Sequence, residues 1–219
     1  MVKNLNDEII NFSMKKITVA ALLISIGVIS RIFLRNFLPP SPSVYINFFG
    51  IKQPIFIPGD VFFVIASVSL VSGRYLREYF TFLVPFMIML ITDVFIGNNF
   101  IFLFTWSGFA IMGLIGYLLR KKSAKSFLFS SIPSIILYDL WTNFGWWLGY
   151  YGGNLKYLTL CYTLATPFMI WHLISTSLLL PILVLAFERI EMKEDARISK
   201  YSAIPVASLA FLSLISLIF

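Results

Sequence analysis

A polytopic bundle of transmembrane α-helices is the fold this sequence predicts, and three observations predict it. Hydrophobic residues make up 59% of the chain and charged residues only 12%, where an ordinary soluble domain has about a quarter of its residues charged. The mean hydropathy is +0.88. The apolar residues fall in continuous runs, and a bilayer core of about 30 Å takes roughly 20 residues of helix. Third, the basic residues crowd into short segments between those runs, on alternate sides.

Taken in order, the runs are Lys16 to Leu34, Ile55 to Ser72, Tyr79 to Ile96, Phe100 to Leu119, Ser126 to Leu148 and Thr159 to Phe187, with a seventh from Ala203 to Phe219. The first follows Lys15 and Lys16 as a signal peptide would, but it runs on into Ser30-Arg31 without an A-x-A cleavage pattern, so it reads as a retained anchor. Before the second, Leu38 to Pro58 holds Pro39, Pro40, Pro42, Pro54 and Pro58 among aromatic and amide residues, which predicts a stiff, structured cap. Asp60 after Pro58-Gly59 suits a helix start, where a carboxylate meets the positive end of the dipole. Gly97-Asn98-Asn99 closes the third run, and Pro167 puts a kink in the sixth. Helices are the only open solution, because backbone groups in hydrocarbon must pair within their own segment and the runs lack the alternation of a barrel. The organisation is then a cytoplasmic tail over 1–15, a six-helix membrane domain over 16–188, a charged cytoplasmic linker over 189–202 and an additional helix over 203–219.

Charge orients the bundle. Of 17 Lys and Arg residues, 13 fall in the N-terminal tail, the loops after spans 2 and 4 and the tract after span 6, while Arg31, Arg35, Lys52 and Lys156 fall on the other side. The positive-inside rule places the N-terminus in the cytoplasm of a plasma-membrane protein. The same distribution explains the net charge of +7 without nucleic acid. Cys161 is the only cysteine, so neither an intramolecular disulfide nor a thiolate metal cluster can form, and with one imidazole beside it no metal site is expected.

Function is sought where lipid should reject a side chain, since an ionisable group at mid-span costs roughly 2.5 to 3.5 kcal/mol on insertion scales. Asp139, Thr142, Asn143 and Trp146 recur at spacings of three and four and share one helical face. That face should look into the bundle, either as an interhelical hydrogen bond that locks packing or as a pocket of one acid, one amide and aromatic plates. Trp147 and the Gly-rich aromatic segment after it read equally as an interfacial belt. Asp93, near the end of span 3, suits interfacial water or capping as well as a site. His172, the only histidine, lies about 20 Å into span 6 and more often serves packing than metal.

Two protease patterns are incomplete. Thr105-Trp106-Ser107-Gly108 with His172 approaches the serine–histidine arrangement of rhomboid proteases but lacks the first glycine and a second histidine. Tyr138-Asp139 and Pro58-Gly59-Asp60 approach the paired aspartates of presenilin-type proteases in reversed order. No P-loop is present, so ATP cannot be hydrolysed by that route.

Four stretches, Phe56-Ile57-Pro58, Thr92-Asp93-Val94-Phe95-Ile96-Gly97, Trp106-Ser107-Gly108 and Thr142-Asn143-Phe144-Gly145-Trp146-Trp147, resemble the substrate-binding S components of energy-coupling-factor transporters, especially an uncharacterised branch of S-component-like proteins. The resemblance covers Lys16 to about Phe187. It implies a six-helix S-component-like bundle, here with an appended seventh helix, that takes a vitamin-like or nucleobase-like solute from outside. It also implies delivery to a transmembrane scaffold subunit driven by two ATPases, docked on a small-residue stripe of which Ala21 and Ser25 are a partial version. Asp139, Asn143, Trp146, Trp147, Asp93, Asn98, Trp106 and His172 are then the expected solute contacts. The expected role is binding and transport with no cofactor and no catalysis. The alternative is a stand-alone secondary transporter coupling protons at Asp93, Asp139 or His172.

Overall fold

Six α-helices and one β-hairpin make up residues 2–34, 44–55, 63–97 and 100–189, the part of the chain that the computed structural model describes. The helices are α1 (Val2–Ile29), α2 (Val64–Val71), α3 (Phe80–Ile96), α4 (Phe102–Leu118), α5 (Ala124–Tyr150) and α6 (Leu158–Arg189). Five stand where spans 1 and 3 to 6 were expected, while the second span, expected from Ile55 to Ser72, has Ile55 at the end of the hairpin and its α-helix over Val64–Val71. The segment 203–219, Asp60 and Asn98 lie outside the described residues. The first helix begins at Val2 rather than near Lys16, because nothing between them is Gly or Pro and the polar residues there propagate a helix as readily as Lys15 and Lys16 do. Helix α5 also starts early, where the Ser123 side chain accepts from the Ser126 amide at 3.2 Å and caps the first turn.

The described part of the expected cap is a hairpin that the proline content concealed. Strands β1 (Tyr45–Phe48) and β2 (Ile51–Pro54) pair antiparallel with Phe48 opposite Ile51. Phe49 and Gly50 turn the chain with φ of 49° and 80°, the two positive values that a two-residue hairpin of matching twist needs. Proline in α6 explains where the hairpin docks. Pro167 has no N–H, so the Thr163 carbonyl one turn earlier loses its helical donor. Gln53 replaces it, its buried Nε2 donating to that carbonyl at 2.9 Å, and the Trp171 indole donates to the Ile55 carbonyl at 2.8 Å.

Helix α2 is the centre. All eight of its residues are buried, and contacts run from α1 to α3 to α4 to α5 to α6 around it. Small residues allow its close approach to α4. A Cβ on Gly73 would overlap the Gly113 carbonyl, and one on Gly116 would overlap the Leu70 carbonyl. The Thr81 carbonyl, left without a helical donor by Pro85, occupies the space a Cβ on Gly113 would need.

Both α1 and α2 end in a π-helical turn, Ser30–Leu34 and Ser72–Leu76. In the second, Arg74 donates from Nη1 to the Leu119 carbonyl and from Nη2 to the Lys122 carbonyl, each at 2.9 Å, tying the α4–α5 connection. Tyr75 donates to Glu188 at 2.8 Å, and Lys16 lies in the field of Glu78 and Arg77. Lys16 at the middle of α1, the α2–α3 and α4–α5 connections and the end of α6 thus share one basic end. The opposite end is aromatic, with Tyr45, Trp146, Tyr150 and Tyr157 exposed.

The outward surface is as apolar as the core. Leu22, Ile26, Leu103, Leu114, Phe129, Leu140, Leu178, Ile182 and Leu185 are all exposed, a surface that water would penalise. Two helical stretches, Met14–Phe33 and Leu155–Arg189, are long and apolar enough to cross a membrane, and Val64–Leu76, Phe80–Ile96 and Phe102–Leu118 are shorter apolar helices. This is a helical bundle consistent with a membrane setting.

Candidate functional site

Because α-helical residues three and four apart share a face, α5 presents Asp139, Thr142, Asn143 and Trp146 together, and all four line one cavity of about 410 Å³. Every helix contributes to it. The π turn of α1 supplies Ser30 and Arg31, the start of α2 Phe63 and Ile65, α3 Met89, and α4 Thr105 and Phe109. Helix α6 adds Cys161, Phe168 and His172. The volume falls within the range of about 300 to 1,000 Å³ usual for small-molecule sites.

The inner end of the cavity is built on Asp139, whose exposure is 1%. Its Oδ1 lies 2.5 Å from His172 Nδ1. An ionised carboxylate only accepts, so in that state Nδ1 is the ring nitrogen that donates. The imidazole is held flat against Phe63 at 3.7 Å between centroids and 20° between planes, and Tyr138 meets it edge-on. Phe109 packs on Tyr138 at 4.5 Å. The other carboxylate oxygen, Oδ2, is buried and has no hydrogen-bond partner. Asn143 donates its amide to the Asp139 carbonyl at 2.7 Å and Thr142 donates to the Tyr138 carbonyl at 3.1 Å. Helix α6 is joined to the same helix by Tyr162, which donates to the Leu140 carbonyl at 2.9 Å.

At the mouth stands a residue the sequence reading counted only as an outward charge. Arg31 Nη1 lies 2.5 Å from Asp93 Oδ1 and also donates to the Thr92 hydroxyl. The Trp106 indole donates to Asp93 Oδ2 at 2.7 Å. Asp93 is therefore neither solvated nor a side-chain cap. It is 4% exposed, and each of its oxygens takes a donor. Asp93 and Trp106 are absent from the cavity lining and reach it only through Arg31, the group they hold. The signal for Arg31 in the sequence was its place one turn inside the end of span 1, at the same depth as Asp93 near the end of span 3.

The remaining expected residues separate by role. Trp147 is also outside the lining set, and its indole donates to the Asn154 carbonyl at 2.9 Å, tying the α5–α6 loop. Tyr151 from that loop does line the cavity. Ala21 and Ser25 lie on the exposed face of α1, while Ala20, Leu23 and Gly27 face inward. Ser107 accepts from the Trp141 indole at 2.8 Å and donates to the Leu103 carbonyl at 2.5 Å. Among the described residues no group of three or more His, Cys, Asp or Glu comes together to hold a metal.

No curated protein and no solved structure matches the chain. A family model does match, over residues 12–199, which takes in all six helices apart from the first residues of α1 and most of the sequence. The chain belongs to the family of unknown function DUF6580.

Proposed function

We propose that this protein is a membrane solute-binding and transport subunit that takes a small organic solute into the cavity between α1, α5 and α6. The carrying observation is the cavity itself: one buried acid paired to the only histidine, one amide and an arginine, converging inside aromatic walls. An ionisable cluster at such depth is costly in lipid unless it is used. The distribution of basic residues supports an N-terminus in the cytoplasm of the plasma membrane, with the cavity opening outward. Binding alone only equilibrates a solute, so accumulation needs a partner or a gradient. The S-component resemblance favours a scaffold subunit with two ATPases, met on the exposed face of α1 at Ala21 and Ser25. The role is binding rather than catalysis.

A second reading draws on one specific observation. The Asp139–His172 pair is a buried, hydrogen-bonded acid and base, the unit a proton-coupled transporter would cycle between two membrane faces. Uptake into liposomes under a proton gradient alone would select it over an ATPase-driven partner.

Native mass spectrometry of protein released gently from its own membrane tests the proposal. The expected spectrum carries a retained small molecule that Asp139→Asn reduces by about tenfold. An Asp139→Leu protein that is more stable and retains the same molecule would make Asp139 a packing residue and overturn the reading.

A further inference from the structure

We propose that the solute is a neutral or cationic aromatic heterocycle that donates an N–H to Asp139 Oδ2, and that the cavity refuses net anions. This rests on reading the cavity as a solute site and names what that site selects. Asp139 is almost wholly buried, one oxygen is committed to His172, and the other is an acceptor without a donor beside the cavity that the residue lines. A buried carboxylate oxygen in that condition is satisfied by a donor that enters the cavity, and a solute N–H can take the place of water there.

Charge decides the class. Besides Tyr138, Tyr151 and Cys161, neutral groups at pH 7, four ionisable side chains of the described residues bear on the cavity: Arg31, Asp93, Asp139 and His172. Asp93 spends both oxygens on Arg31 and Trp106, so the guanidinium is already neutralised by a carboxylate at 2.5 Å. What remains is Asp139 with His172, whose charge is −1 with a neutral ring and zero with a protonated one. With Asp139 ionised, neither state of the ring leaves positive charge over among the described residues, and an entering anion would be desolvated without compensation. Arg31 makes both of its hydrogen bonds from Nη1, so its other nitrogens can meet a neutral acceptor such as a ring carbonyl. The walls are aromatic. Phe63, Phe109, Tyr138, Trp146 and Phe168 line the cavity, and ring faces attract cations and polarised N–H edges.

The test uses the full chain in lipid nanodiscs and matched amine, amide and carboxylate triplets on indole, benzimidazole and pyrimidine rings, titrated by thermal melting and tryptophan fluorescence. Amines and amides should raise the melting temperature, carboxylates should bind about tenfold more weakly or worse, and Asp139→Asn should cut amine binding by about tenfold. Carboxylates that bind as well as their amines would overturn the class while leaving the solute site standing. Amine binding that is unchanged in Asp139→Asn would overturn the contact. Failure of every ring in every charge state would remove the solute reading itself. The charge series on the natural sequence stands alone should Asp139→Asn not fold.

Discussion

Two arginines occupy the same kind of position at opposite ends of the bundle, and their surroundings separate structure from function. Each sits in a π-helical turn that finishes a helix, a widened turn common at functional sites. Arg74, at the basic end, gives its guanidinium to two backbone carbonyls, lies over the Phe127 ring at 4.7 Å, and has 7% of its side chain exposed. Arg31, at the aromatic end, is held by side chains, keeps 31% of its side chain exposed and lines a cavity. Around Arg74 the helices touch backbone to backbone through Gly73, Gly113 and Gly116. Beside Arg31 a cavity lies among the helices, lined by rings and polar groups. Arg74 also has Glu188 at 3.9 Å, but its hydrogen bonds to the α4–α5 connection go to backbone and serve the fold, while Arg31 is held by the Asp93 carboxylate and the Thr92 hydroxyl beside a cavity.

This contrast can be broken in three places. The largest effect should come from the closed end: Gly73→Leu forces a side chain onto the Gly113 carbonyl, which cannot yield, and should cost about 3 kcal/mol in a detergent or nanodisc melt. A Gly73→Leu protein that melts like the parent would show that the two helices are not in backbone contact. At the open end, Arg31→Met strands a buried Asp93 and should cost about 2 kcal/mol, discounted because the arginine is partly exposed. Adding Asp93→Leu should recover most of that loss, and a double variant no better than the single would remove the pair as the reason for the cluster. The smallest effect belongs to the hairpin. Gln53→Ala should cost about 1 kcal/mol and speed amide exchange across β1 and β2, leaving α2 and α4 unchanged.

The six helices were legible because apolar length is a strong signal, and the polar face of α5 because a spacing of three and four survives folding. Asp139, Asn143 and Trp146 could be grouped from one helix alone. Joining His172 and Asp139, or Arg31 and Asp93, needed the packing of helices far apart in sequence, which periodicity does not encode. Trp147 was misleading for a related reason: it follows Trp146 by one residue, and one residue turns a helix by about 100°, away from the cavity. The hairpin was hidden because Phe49-Gly50 is not the asparagine–glycine pair that announces such a turn, and prolines around it argued against strands. Phe49, 88% exposed at its tip, follows neither pattern.

Pro167 has a consequence that reaches across the molecule. By baring the Thr163 carbonyl it makes the sixth helix depend on Gln53, a side chain 110 residues earlier, for a hydrogen bond that its own backbone would otherwise supply. Lifting the hairpin would strip both partners at once, in the same helix that carries His172 to the cavity floor. Hairpin seating and cavity occupancy therefore draw on one balance, and linkage makes the influence mutual. If the cavity takes a solute as proposed, an antibody fragment that grips Phe49 becomes an effector of a site it never enters: should it loosen the solute severalfold, the solute must loosen it by the same factor.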